Sequence, residues 1–138
     1  DGKIRLPGSG GASDIASLAQ RLVVLLPHQR RRFPERVDYL TSPGYGDGHG
    51  WRRRVGLPRG GPTVVITDRG VLHFHPESQE IELASVHPGY SPEEVDSETG
   101  WPLRLAKDLE ETPLPTEEEL SLLRKLDPDG FWLRTSEG

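Results

Sequence analysis

The spacing of apolar residues changes period several times along this chain. Lys3 to Leu6 alternates apolar with basic residues and predicts a short strand. After the loop Pro7 to Gly11, residues Ile15, Leu18, Ala19 and Leu22 fall at i, i+3, i+4 and i+7, one face of a helix. Arg21 to Leu26, "RLVVLL", is apolar, β-branched and stopped by Pro27, the pattern of a buried strand. Strand, glycine loop, helix and strand form a βαβ unit, which implies a parallel sheet. Val37 to Thr41 predicts one more short strand, followed by about twenty loop residues, a length that compact domains usually reserve for function or a partner. Tyr45 and Trp51 within that loop need burial against something. "PTVVIT" at 62 to 67, Val71 to His75 and Glu80 to Val86 are strands joined by turns at Asp68-Arg69-Gly70 and Pro76 to Gln79, an antiparallel meander. "SPEEV" opens a helix with Ser91 as N-cap, Pro92 at N1 and Glu94 closing a capping box, and Gly100 is expected to end it. "TEEELSLLRKLD" repeats that logic with Thr116 and Glu119, with Leu120, Leu123 and Arg124 on one face. There is no internal repeat and no second domain.

Composition narrows the functional classes. At 138 residues the chain has the size of one domain, and 16 glycines with 13 prolines at 33% hydrophobic content make it loop-heavy. It has no apolar run of about 18 residues, and no basic region followed by an apolar stretch opens it, so no secretory signal is expected and the expectation is a cytoplasmic protein with no membrane partner. The absence of cysteine excludes disulfides and thiolate metal sites. A net charge of −5 argues against nucleic acid as a general partner. Two basic runs, Arg30-Arg31-Arg32 and Arg52-Arg53-Arg54, read either as solvated loops and subunit contacts or as groups meeting a ligand's phosphates. The chain contains no methionine and opens on Asp1, from which a removed start or a piece of something longer is expected.

Candidate chemistry concentrates near the front. Gly8, Ser9, Gly10 and Gly11 precede a helix whose first N–H groups lack intrahelical partners, an arrangement that suits an anion or a developing oxyanion as well as a plain strand-to-helix turn. The segment is no P-loop, since no Lys-Ser/Thr follows, and its glycine spacing differs from the dinucleotide fingerprint. His73 and His75 share one face of a strand, and His87 is the nearest third ligand, too little to predict a metal site. Glu93, Glu94 and Glu117 to Glu119 sit where capping and dipole compensation account for them, and Glu77, Glu80 and Glu82 border a hairpin. No nucleophile or general base stands out: Ser9, Ser13 and Ser42 have no readable His-Asp partnership.

Taken in order, "PGSGGASDIASLA", "VDYLTSPG", "GLPRGGPTVVITDRGVLHF", "ELASVHPGYSPEEVDSETGW" and "TPLPTEEELSLLRKLD" resemble the B (beta) subunit of family I CoA-transferases, in the glutaconate CoA-transferase-like branch. The resemblance covers nearly the whole chain. It implies an α/β fold of the NagB/RpiA/CoA-transferase type, a sheet with flanking helices and a β-meander, in which A and B subunits form an active site near their interface. It implies CoA transfer from an acyl-CoA to a carboxylic acid through a glutamate nucleophile, with the CoA thioester as substrate and no other cofactor. That glutamate belongs to an earlier part of the family's B polypeptide, so residues 1–138 read as a single partial domain, the C-terminal part, and no catalytic residue carries over. The segment Gly8, Ser9, Gly10, Gly11, Ala12, Ser13 and Asp14 does match the family's glycine motif, which implies backbone contact with the thioester or CoA. The implied partners are a CoA-transferase A (alpha) subunit and the preceding, N-terminal part of the B polypeptide. A CoA-ester ring-opening hydrolase of steroid breakdown on the same scaffold, or a non-catalytic assembly module, fits the same residues.

Overall fold

The centre of the molecule is a hairpin of two strands whose inward residues are Leu72 and Leu83, both fully excluded from solvent. In the computed structural model, which describes residues 8–57 and 60–131, the order of elements is α1 (Gly10–Leu18), β1 (Leu22–Leu25), α2 (Trp51–Arg54), β2 (Pro62–Ile66), β3 (Gly70–Phe74), β4 (Ile81–Val86), α3 (Pro92–Ser97), β5 (Arg104–Glu111) and α4 (Glu117–Leu126). The strands form one mixed sheet in the order β1-β2-β3-β4-β5. The two outer pairs, β1 with β2 and β4 with β5, are parallel, and the two inner pairs are antiparallel. The expected meander is therefore the middle of the sheet, with a parallel strand added on each side. The strand expected at Lys3 to Leu6 lies outside the described residues.

Alternation of side chains sets which face is the core. Val65, Leu72, Leu83 and Val86 point to one side, where Phe33 and Val95 of α3 close over them. Val95 is fully buried because the helix beginning at Ser91 is held in place by its capping box. The Ser91 hydroxyl accepts from the Glu94 N–H at 3.3 Å, and the Glu94 carboxylate accepts from the Ser91 N–H at 2.7 Å. The helix stops at Ser97 without a left-handed residue, so Gly100 does not end it as expected. Gly100 is needed for a different reason: a Cβ there would lie 2.5 Å from the Phe33 carbonyl oxygen and the Glu35 nitrogen. The Gly100 N–H donates to that carbonyl at 2.7 Å, pinning the chain after β1 against the chain after α3.

Three further expectations need correction, and one strand is unexpected. β1 is not a buried strand; Val23 and Leu25 are 39% and 72% exposed, because β1 is the edge of the described sheet and no described residue covers its outer face. The helical face of Ile15, Leu18, Ala19 and Leu22 is cut short. α1 ends at Leu18, Leu22 already belongs to β1, and α1 buries none of its residues among those described. Val37 to Thr41 forms no strand, since its β-branched and aromatic residues find no strand edge to pair with and Val37, Tyr39 and Leu40 stay exposed. β5, by contrast, is a strand that the pattern hides: Arg104, Lys107, Asp108, Glu110 and Glu111 leave only Ala106 buried. Dense charge is how an edge strand resists pairing with another chain, and it masks the strand's period.

The long loop between β1 and β2 is more ordered than its composition suggests. It contains α2, and Tyr45 finds its burial against Phe74, with ring centroids 5.1 Å apart, while its hydroxyl donates to the Pro62 carbonyl at 2.8 Å.

Candidate functional site

The glycine-rich segment is well placed for a ligand and poorly explained by packing. α1 begins at Gly10, so the N–H groups of Gly10, Gly11 and Ala12 precede the first intrahelical bond, from Ser13 N to the Ser9 carbonyl at 3.3 Å. Ser9, at the N-cap position, makes no capping bond with its side chain; its hydroxyl instead meets the Tyr39 hydroxyl at 2.7 Å. The first turn carries no acidic side chain to neutralise the positive end of the helix. Gly8, Gly10, Gly11, Ala12 and Asp14 are exposed, and Ser9 and Ser13 are half-buried. A Cβ added at Gly8, Gly10 or Gly11 would meet nothing within 4 Å. Gly10 has a left-handed backbone, φ 42°, which itself favours glycine. Gly11 lies inside the helix with no such demand, where alanine is the better helix former. The described fold thus has no use for a glycine at 11.

A cleft of about 580 Å³ opens at the carboxyl ends of β1 and β2, lined by Leu25, Leu26, Pro27, Gln29, Ile66, Thr67 and Asp68. Ligands of open α/β sheets favour that end of parallel strands. Directly after the cleft's β1 wall is His28, fully buried, whose ring stacks on Phe33 with centroids 4.3 Å apart. Its Nδ1 lies 3.3 Å from Thr67 Oγ1, its Nε2 lies 3.1 Å from Thr99 Oγ1, and its backbone N–H donates to Asp68 Oδ1 at 2.6 Å. The Thr99 hydroxyl gives its proton to the Val95 carbonyl and the Thr67 hydroxyl gives its proton to the Gly70 carbonyl, both at 2.9 Å, so each threonine presents an acceptor to the ring and the neutral imidazole donates its single N–H to one of them. Burial, and next the Arg69 guanidinium, lower the imidazole's pKa below its usual value, against a smaller opposing effect of Asp68. Sequence reasoning misses His28. Its partners stand 39 and 71 residues away, and the only local signal is a polar residue following an apolar strand. With a threonine hydroxyl beside each ring nitrogen, it ties the end of β1 to the β2–β3 turn and to α3.

The other histidines are separately engaged. His73 Nε2 lies 2.9 Å from the buried Glu82 carboxylate across the β3–β4 pair. His75 Nδ1 accepts from the N–H groups of Glu77 and Ser78 in the turn, and His87 donates to the Thr67 carbonyl and meets the Thr112 hydroxyl. No group of three His, Cys, Asp or Glu residues stands in metal-binding geometry among the described residues. Among them, too, no helix is long and apolar enough to cross a membrane. Glu94 and Glu119 close capping boxes. The basic runs divide in role: Arg52 is buried and donates to the carbonyls of Gly44 and Ser17, whereas Arg53 and Arg54 stay exposed.

The mixed sheet with a central meander agrees with what known proteins show: the model of the Coenzyme A transferase family matches residues 1–98, and the chain belongs to that family. Among its relatives it is 42% identical over 129 residues to the B subunit of glutaconate CoA-transferase from Acidaminococcus fermentans, and 41% identical over 125 residues to the B subunit of 3-oxoadipate CoA-transferase from Pseudomonas knackmussii. Each match covers 91% of this chain, and 47% and 48% of the respective relatives, so the chain spans about half their length. The crystal structure of the Acidaminococcus fermentans glutaconate coenzyme A-transferase superposes on it with a TM-score of 0.81 at 38% identity, covering 96% of this chain and 51% of that one. The IpdB subunit of the cholesterol ring-cleaving hydrolase of Mycobacterium tuberculosis is more distant, 32% identical over 106 residues, 73% of this chain and 40% of that protein.

Proposed function

We propose that these residues are part of the B subunit of an acyl-CoA:carboxylate CoA-transferase, and that Gly8 to Asp14 form its backbone cradle beside the thioester. The observation that carries the reading is Gly11, a glycine inside a helix that neither its backbone nor any neighbour within 4 Å requires. A requirement for close approach from outside the described chain explains it. The free N–H groups of Gly10, Gly11 and Ala12 and the positive end of α1 then face the oxygen on which charge develops.

In this reading a carboxylate outside these residues attacks the thioester carbonyl, and collapse of the tetrahedral oxyanion expels CoA thiolate and leaves an anhydride. Attack of the thiolate on the anhydride carbonyl belonging to the enzyme releases the donor acid and gives an enzyme-bound CoA thioester. The acceptor acid then takes the CoA by the same two steps in reverse. Every tetrahedral species bears its charge on one oxygen, so one set of backbone donors serves each step. These residues supply donors and no nucleophile, and the steps consume only the two substrates, the CoA thioester and the acceptor acid. The open edge of β1 and the uncovered face of α1 are assigned to the rest of the B polypeptide and to an A subunit. Identity of 41–42% to two transferase subunits favours transfer over the ring-opening hydrolysis of the more distant relative.

The test is the assembled protein with an acyl-CoA and a labelled carboxylic acid. Movement of CoA onto the labelled acid, with an enzyme-bound CoA thioester trapped by borohydride or hydroxylamine, supports transfer. Release of free CoA with carbon–carbon cleavage supports the hydrolase, and no turnover of any acyl-CoA leaves only an assembly module.

A further inference from the structure

A second cleft, of about 390 Å³, lies at the far end of α1 and is lined by His49, Gly50, Arg52, Arg53, Arg54 and Gln79 together with Gly60. Among the described residues no aspartate or glutamate lines it, in a chain whose net charge is −5. Of its three guanidinium groups, that of Arg54 is paired with Asp47 and that of Arg52 is turned into the loop, where it holds the carbonyls of Gly44 and Ser17. Arg53 is exposed, and its side chain has no ion pair among the described residues. The wall of the cleft is also where the backbone is held in unusual conformations. The two non-glycine residues with left-handed backbone among those described, His49 at φ 47° and Gln79 at φ 63°, both line it. They are joined through the Gly50 N–H, which donates to Gln79 Oε1 at 3.3 Å. Such strain collects at ligand clamps, where surrounding structure holds it in place.

We propose that this cleft binds the phosphates of the nucleotide portion of a CoA ester, with Arg53 as the side chain that reaches them. This inference rests on the CoA reading above. A planar guanidinium is suited to a phosphate through paired N–H donors. Placement agrees: Arg52 fixes the cleft to Ser17 in the last turn of α1, and the nine residues of that helix put it about 12 Å from the glycine cradle at the first turn. The pantetheine arm of CoA bridges an interval of that order, so one ligand can lay its thioester at Gly10–Gly11 and its phosphates at Arg53.

The experiment uses the natively assembled protein and three probes: 3′-phosphoadenosine 5′-diphosphate, inorganic pyrophosphate, and pantetheine, which has no phosphate. Arg53→Gln is expected to weaken binding of the nucleotide about tenfold, and to raise KM for the acyl-CoA by a similar factor with kcat unchanged, as for loss of one charge-assisted hydrogen bond. Arg53→Lys is expected to restore part of the loss, and pantetheine to bind the Arg53→Gln variant and the unaltered protein alike. Nucleotide affinity and KM indifferent to Arg53 in a protein that still exchanges CoA would overturn the inference and leave the transferase reading standing. Pyrophosphate binding as tightly as the nucleotide, with the same dependence on Arg53, would overturn the nucleotide assignment. Arg53-dependent nucleotide binding in a protein with no CoA transfer would support the cleft and remove the transferase reading.

Discussion

Replacing His28 by phenylalanine separates what its ring packs from what its nitrogens titrate. Phenylalanine keeps the stack on Phe33, and the two threonine hydroxyls keep other partners. Thr67 Oγ1 still accepts from Arg69 N and Gly70 N at 3.1 Å, and Thr99 Oγ1 still donates to the Val95 carbonyl at 2.9 Å. The loss is therefore the one hydrogen bond that the neutral ring donates, about 1 kcal/mol net near pH 7.5. His28→Ala removes the buried ring and the stack as well and is expected to cost about 3 kcal/mol. The pH dependence is the sharper readout. His28 is fully buried with a lowered pKa, so the unfolded chain binds its proton more readily than the folded one. Stability from this group is complete above the unfolded value of about 6.5 and is lost as pH falls from there through the lowered folded value. The limiting slope for one proton is about 1.4 kcal/mol per pH unit. Urea unfolding followed by circular dichroism between about pH 7.5 and 5 is expected to show the unaltered protein losing stability relative to His28→Phe, so that the gap between them narrows or reverses. Parallel curves across that range would show that the folded site tolerates the charged imidazole and would refute the account of the cluster.

Two glycines give opposite outcomes. A Cβ at Gly60, φ 72°, would lie 1.8 Å from the Ala19 carbonyl oxygen, so Gly60→Ala is expected to lower stability by about 2 kcal/mol or more, seen as an earlier urea midpoint. Gly11→Ala is expected to raise stability by about 0.5 kcal/mol while reducing CoA exchange at least tenfold, so one preparation gives both readings. The two capping boxes also differ in reach. Ser91→Ala is expected to cost about 1 kcal/mol of global stability because α3 buries Val95, whereas Thr116→Ala frays α4, which buries nothing, and leaves the global midpoint in place. Amide exchange resolved by segment distinguishes them. Hydrogen bonds from the Thr116 backbone and side chain lower the pKa of Glu119, so its contribution to α4 is expected to be complete above the ordinary value of 4.5 and to be lost progressively as pH falls from there through the lowered folded value, followed by exchange in residues 117–126.

The parts of the fold visible in the sequence are those whose causes are local. "PTVVIT" carries its strand period within six residues, and Ser91-Glu94 and Thr116-Glu119 carry their helix starts within four. β5 is hidden because an edge strand trades hydrophobic alternation for charge, and Val37 to Thr41 misleads because strand propensity is realised only beside a partner. The apolar residues of α1 and β1 are legible, but what they pack against is not among the described residues, so Ile15, Leu18 and Leu25 stand exposed. The proposed glycine cradle can be read from the sequence because the chemistry assigned to it lies in consecutive backbone groups. The His28–Thr67–Thr99 cluster assembles side chains from segments far apart in sequence, and no spacing within one segment announces it, whereas of the Arg53 cleft the run Arg52-Arg53-Arg54 is legible and its closure by Gln79 is not.

The central claim, that the backbone from Gly8 to Asp14 serves CoA transfer, is tested most directly by following CoA from an acyl-CoA onto an isotopically labelled carboxylic acid in the assembled protein, with and without Gly11→Ala. Label is expected to accumulate in the CoA ester with little free CoA, and the variant to lose at least tenfold in rate with its stability intact or raised. Equal exchange rates in the two proteins would contradict the claim.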